Sequence, residues 1–181
     1  SIIIPLKQLG DPDMFWHIQT GEYIIKNISI PHSDVFTYYG IENNLYWTAH
    51  EWLSDIIFYL IYSLGGYKLL RLFPTIILLI ISIFTIKNTK ETDKTNIFTY
   101  LSYFICFFTL AIFSEIRPHM FSFLLLSTEI IILENFKKNQ QNKSIYFLPI
   151  ISLLWANLHG GSSSLSYIVP LFYLFFSIKK N

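Results

Sequence analysis

Residues 144–178 read SIYFLPIISLLWANLHGGSSSLSYIVPLFYLFFSI, without one aspartate, glutamate, lysine or arginine. An α-helix rises about 1.5 Å per residue, so about 20 apolar residues cross a hydrocarbon core of roughly 30 Å. A run of 35 residues is too long for one pass and right for two. The break falls at its midpoint, where Asn157, His159, Gly160, Gly161 and three serines place polar groups and helix-breaking glycines. Helices are expected at 144–158 and 163–178. Working outward, the uncharged runs 72–86, 95–114 and 118–133, the last interrupted by Glu129, are one pass each. With charged ends reaching to the interface these become spans at about 68–86, 97–115 and 118–136. Transmembrane strands would alternate in polarity, and these runs do not.

Composition points the same way. The chain is 52% hydrophobic and 14% charged, with mean hydropathy +0.44, whereas a soluble domain carries about 25% charged residues. The expected fold class is therefore all-α, a polytopic transmembrane helical protein of the cell membrane in contact with lipid. A net charge of +1 argues against a nucleic-acid partner, and the single cysteine, Cys106, excludes a disulfide scaffold and a thiolate metal cluster. The chain opens Ser1-Ile2-Ile3-Ile4-Pro5 without a methionine. It reads as a piece of a longer protein, with an earlier transmembrane helix ending near Leu9 and more helices beyond Asn181.

A further apolar stretch at 52–64 is interrupted by Asp55 and ends in Gly65-Gly66. If it lies along the interface instead of crossing, the loops holding Lys87, Lys90, Lys94, Lys137, Lys138, Lys143, Lys179 and Lys180 share one side. That gathers eight of the thirteen bases, which the positive-inside rule assigns to the cytoplasm. The expected organisation is thus residues 1–66, the end of a first membrane helix plus an external loop carrying juxtamembrane helices at 13–27 and 50–65, and residues 67–181, a helical bundle. The outer side then collects the 11–50 loop, Glu115-Ile116-Arg117-Pro118-His119 and Asn157-Leu158-His159-Gly160-Gly161.

That outer loop is acidic. Residues 11–55 hold seven of the twelve acids, Asp11, Asp13, Glu22, Asp34, Glu42, Glu51 and Asp55, against one base, Lys26. Such a field suits a divalent cation or a carboxylate working as a base, and also suits a plain outer loop. Pro12 fixes a turn and Asp13 is placed to cap a helix whose apolar stripe is Met14, Ile18, Gly21, Ile25 and Ile28. Asp13 and His17 share a face at i, i+4, which fits a metal pair, a base with its orienter, or a capped helix start. Residues 30–40 read as turns and short extended pieces. Thr48 and Glu51 have the spacing of a capping box for the next helix, and His50 stands between them.

Taken together, Asp11-Pro12-Asp13-Met14-Phe15-Trp16-His17-Ile18-Gln19-Thr20-Gly21-Glu22, Ile30-Pro31-His32-Ser33-Asp34-Val35-Phe36, Ala49-His50-Glu51-Trp52-Leu53, Arg117-Pro118-His119-Met120-Phe121-Ser122 and Trp155-Ala156-Asn157-Leu158-His159-Gly160-Gly161 resemble the blocks of bacterial multipass proteins of the GT-C glycosyltransferase superfamily. The resemblance spans nearly the whole chain. It implies a GT-C-like fold and transfer of a sugar from a polyprenyl-phosphate donor to an acceptor at the outer membrane face. It also implies that the first-loop acid, Asp13 or Asp11, is the general base or a metal ligand. Arg117 would clamp the lipid phosphate, and His17, His50, Glu51, His119 and His159 would line the substrate site. Trp16, Trp47 or Trp52 would stack on a sugar ring or mark the interface. The second-loop position, Glu115-Ile116-Arg117, lacks a second acidic pair, so no metal is required, and a divalent cation, if used, would sit at Asp11 and Asp13. Two other classes fit the residues: a transporter or lipid flippase with a broken-helix site at Gly160-Gly161, and a non-catalytic membrane assembly subunit.

Sidedness is directly measurable. In a Cys106→Ser background, Asn43→Cys is expected to react with an impermeant thiol reagent from outside, while Asn88→Cys and Asn142→Cys are not. External labelling at position 88 would overturn the topology.

Overall fold

The computed structural model describes residues 12–88, 96–112 and 115–178. Asp11, the expected helix end near Leu9 and the bases Lys90, Lys94, Lys179 and Lys180 lie outside the described residues. Among the described residues 79% are helical and none lies in a strand, with an isolated antiparallel bridge between Ser33 and Tyr46.

Helix α1, Asp13–Asn27, starts directly after Pro12, whose φ of −61° is already helical. Asp13 is therefore the first helical residue, not the cap, and no side chain caps this end. The stripe that α1 buries is Met14, Ile18, Gly21 and Ile24. Ile25 and Ile28, read as part of the stripe, are exposed; the helix stops at Asn27, and Ile28 turns left-handed out of it at φ 51°. Residues 38–42, read as turn and extended chain, form a short helix α2, Tyr38–Glu42. Its start is fixed by the Thr37 hydroxyl, which accepts the Gly40 N–H at 3.0 Å, and by Asp34, which accepts from the N–H groups of Phe36 and Thr37.

Helix α3, Trp52–Asn88, begins three residues later than a cap at Thr48 requires, so the capping box read there does not form. Its backbone leaves the helical region at Gly65 and Gly66, and Gly66 takes φ 61°, ψ −159°, a conformation that essentially only glycine adopts. The turn is sharp. Phe58 and Phe73 would lie roughly 22 Å apart along a continuous helix, yet their ring centroids are 5.5 Å apart. The two halves, 52–64 and 67–88, fold back on each other across the glycines.

Helices α4, Ile97–Ile112, α5, His119–Lys138, α6, Leu148–Leu158, and α7, Leu165–Ile178, complete the bundle, with 3-10 turns at Lys143–Phe147 and Gly160–Ser162. Phe121 of α5 closes a three-ring cluster with Phe58 and Phe73, at 5.8 and 5.1 Å. Each such pair adds about 0.5–1.5 kcal/mol beyond its burial, so the cluster clamps both halves of α3 to α5. Met14, Ile18, Leu70, Met120 and Leu158 join the same core. Two of the described helices, Trp52–Asn88 and His119–Lys138, are long and apolar enough to cross a membrane. The outward faces of α4 and α7 are apolar as well, with Phe98, Phe104, Phe108, Ile168, Leu171 and Phe175 exposed.

The site depends on how α1 meets α3. A Cβ added at Gly21 would stand 2.1 Å from the Asp55 carbonyl oxygen and 2.8 Å from the Tyr59 Cβ, so only glycine permits this approach. Gly21→Ala must push α1 away, and overpacking of this kind costs typically 1–3 kcal/mol. Melting of the detergent-solubilised variant is expected at a clearly lower temperature than wild type, and an unchanged melting point would contradict the described contact.

Candidate functional site

The approach at Gly21 sets His17, one turn earlier on α1, against Asp55 on α3. His17 Nδ1 lies 2.6 Å from Asp55 Oδ1. Asp55 is 3% exposed, and a carboxylate removed from water needs such a partner. The carboxylate that pairs with His17 is thus Asp55, 38 residues away, and not Asp13 at i−4. Edge-on contact with Phe58 at 5.8 Å holds the imidazole ring.

Asp13 turns instead to Arg117 in the segment before α5, with Nη2 to Oδ2 at 2.8 Å, and Arg117 Nε stands 3.9 Å from Glu115. The sequence-derived base and the sequence-derived phosphate clamp, more than a hundred residues apart, are in direct contact. Both are accessible, with side chains 53% and 40% exposed.

Between these pairs is a cavity of about 360 Å³. Asp13, His17 and Thr20 of α1 line it, and so do Glu51 and Asp55 at the start of α3. Trp16 and Trp47 form an aromatic wall, their ring centroids 6.0 Å apart and both packed edge-on against Phe36. His50 stands at the rim, largely exposed, its Nδ1 3.2 Å from the Thr48 carbonyl and its Nε2 3.9 Å from Glu51.

Glu51 also faces His159, whose Nε2 is 3.4 Å from its Oε1. The opposite ring nitrogen of His159 sits in a triangle with the hydroxyls of Ser122 and Ser162, at 2.6 and 2.7 Å, and these hydroxyls are 2.7 Å from each other. The indole N–H of Trp155 donates to both hydroxyl oxygens. A proton on Nδ1 would leave one hydroxyl proton without an acceptor in this triangle. The network therefore assigns Nδ1 as acceptor and puts the proton on Nε2, toward Glu51. Burial holds the His159 imidazole below its ordinary pKa, and the neighbouring His119, His50 and His17 act in the same direction, which favours this neutral form.

The expected outer-side clusters do converge: Arg117 on Asp13, His159 on Glu51, and Asn157 on Trp52, whose indole N–H donates to Oδ1 at 2.9 Å. His119 stands apart from the cavity lining, edge-on to Phe123 at the start of α5. Asp11 lies outside the described residues. Among the described residues no three His, Cys, Asp or Glu side chains gather as a metal cage. Sequence reasoning assigned no role to Asp55, Ser122, Trp155 or Ser162. For Asp55 a signal existed, since a lone acid inside the apolar stretch 52–64 must find a partner when that stretch packs.

At Glu51, as at the more deeply buried Asp55, the fold opposes ionisation. Burial raises the Glu51 pKa, with Asp55 and Asp13 adding to the rise and His17 and His50 opposing it. A carboxyl with a raised folded-state pKa contributes stability below its ordinary value and loses it as pH rises through the raised one. Glu51→Gln never ionises, so above about pH 7 it is expected to melt at a higher temperature than wild type, the difference closing below about pH 4. A difference independent of pH would refute the assignment. Neither a family model, nor a curated protein, nor a solved structure matches this chain.

Proposed function

We propose that the chain belongs to a polytopic membrane protein of GT-C-like architecture, a glycosyltransferase that moves a sugar from a polyprenyl-phosphate donor to an acceptor at the outer face of the cell membrane. The observation that carries this reading is the ion pair of Arg117 and Asp13 at the edge of a cavity walled by Trp16 and Trp47 and lined with carboxylates and imidazoles. Each part matches a demand of the reaction. A leaving lipid phosphate needs a cation, and the guanidinium fork meets two phosphate oxygens at once. A sugar ring presents apolar C–H faces that lie well on indole and hydroxyls that bond to carboxylates. A cavity of about 360 Å³ is within the range of small-molecule sites. Two helices able to cross a membrane, and the apolar outward faces of α4 and α7, support the multipass setting.

In this reading the donor phosphate competes with Asp13 for Arg117, so donor binding loosens the ion pair at the edge of the cavity. A second reading, a transporter or flippase, draws on Glu129 of α5, which is 1% exposed with Oε2 lacking a hydrogen-bond partner. Buried carboxyls at membrane depth commonly mark transport pathways.

Arg117→Lys separates clamp from bystander. Lysine keeps the charge and reaches the interface equally well, but loses the two-pronged contact. In proteoliposomes supplied with polyprenyl-phosphate sugars, the variant is expected to lose on the order of tenfold or more in kcat/KM. Wild-type transfer by Arg117→Lys would remove the clamp. Substrate movement without transfer, abolished by Glu129→Gln, would favour the transporter.

A further inference from the structure

The transfer reading requires a proton acceptor, and the acid assigned to that role by position, Asp13, has its carboxylate on Arg117. The cavity offers a better-built alternative. His17 lines it from α1, and its Nδ1 is held at 2.6 Å by Asp55, a carboxylate 5% exposed at its side chain. A carboxylate acts as acceptor, so the proton of neutral His17 resides on Nδ1 and the lone pair on Nε2, the nitrogen that His17 can offer to the cavity. This is the arrangement of a base whose orienter lies behind it, out of reach of substrate.

We propose that His17 is the catalytic base of the reaction and Asp55 its positioning residue. The proposal rests on the transfer reading and deepens it. As the acceptor attacks, its O–H or N–H proton passes to His17 Nε2 and a bond forms from the acceptor atom to the anomeric carbon. The bond from that carbon to the phosphate oxygen breaks, and its electron pair leaves on the polyprenyl phosphate beside Arg117. The imidazolium formed is stabilised by the Asp55 carboxylate. Gly21 is part of the device, because without it α1 could not bring His17 to Asp55.

The charged and titratable groups that face His17 are Asp55 of α3, Glu51 and His50 just before that helix, His159, and Asp13 with its partner Arg117. Of these only Asp55 is hydrogen-bonded to the ring. Removing its charge withdraws the stabilisation of the imidazolium formed as the proton is taken up. Asp55→Asn must therefore lower kcat more than it raises donor KM.

Diethyl pyrocarbonate, which acylates neutral imidazole nitrogen, reads the exposure and nucleophilicity of Nε2 without a substrate. Mass spectrometry of the full chain is expected to show acylation of His17, slower in Asp55→Asn, where no carboxylate behind the ring makes Nε2 more nucleophilic. In a donor assay, His17→Gln is expected to lose on the order of 10²–10⁴-fold in kcat with little change in donor KM. Asp55→Asn should lower kcat in step with the labelling rate, with donor KM little changed. An unreactive His17, or a labelling rate and a kcat unmoved in Asp55→Asn with only a lowered melting temperature, would reduce the pair to a structural tie and overturn the proposal. Full turnover in His17→Gln would overturn it equally. Wild type that transfers no sugar from any polyprenyl-phosphate donor while His17 is acylated as expected would sink the transferase reading and, with it, the catalytic role, leaving the dyad geometry standing.

Discussion

A carboxylate removed from water on one helix dictates much of what surrounds it. Asp55 sits nearly three turns before the glycine turn of α3, and an isolated buried charge costs several kcal/mol. Its partner must come from outside α3, because the residues one turn away on either side, Glu51 and Tyr59, carry no cation. His17 supplies it, and can do so only because Gly21 lets the α1 backbone lie against the Asp55 carbonyl. Once α1 is held at this distance, Trp16 and Thr20 become walls of the cavity and Asp13 is carried to its edge. The chain from α1 to α3 then returns over the top, and Trp47 packs near Trp16 with Phe36 between them.

A second set of polar ties fixes the other wall. The hydroxyl of Ser54, fully buried on α3, donates to the Leu158 carbonyl at the end of α6. Trp52 reaches Asn157, and Trp155 holds Ser122 and Ser162 around His159. Each bond satisfies a group that the breaks in the helices leave exposed: the C-terminal carbonyl of α6, and the polar residues that interrupt the apolar run at 157–162. The interruption has two consequences at once. It ends a helix, and it places His159 opposite Glu51.

These ties explain which features were legible in sequence. Helix existence rests on local pattern, so the helical stretch after Pro12, the turn at Gly65-Gly66 and the break at Asn157 to Gly161 could each be read from their own residues. Partner choice rests on distance in space. The i, i+4 spacing of Asp13 and His17 suggested a pair, but a side chain on a helix face is equally open to the helix packed against that face, and α3 outcompetes the neighbour on α1. The exposure of Ile28 has a local origin. Periodicity alone continued the stripe, whereas the helix terminates at Asn27 and Ile28 turns left-handed out of it. The short helix α2 escaped notice because it is organised by capping contacts from Asp34 and Thr37, residues that signal turns just as well.

The placement of charge also orders the proposed reaction. Three carboxylates line the cavity and no lysine or arginine does, since Arg117 meets the group only at its edge, through Asp13. An anionic phosphate is repelled from such an interior and attracted to that edge, while an uncharged sugar ring meets no such penalty and finds the indoles of Trp16 and Trp47. In the proposed reaction a donor carrying both would be oriented with its phosphate outward on Arg117 and its sugar inward. The anomeric carbon, the atom that joins the two, would then lie between the guanidinium and the imidazole of His17. That is where a reaction that separates phosphate from sugar while removing a proton from the incoming group needs its cation and its base.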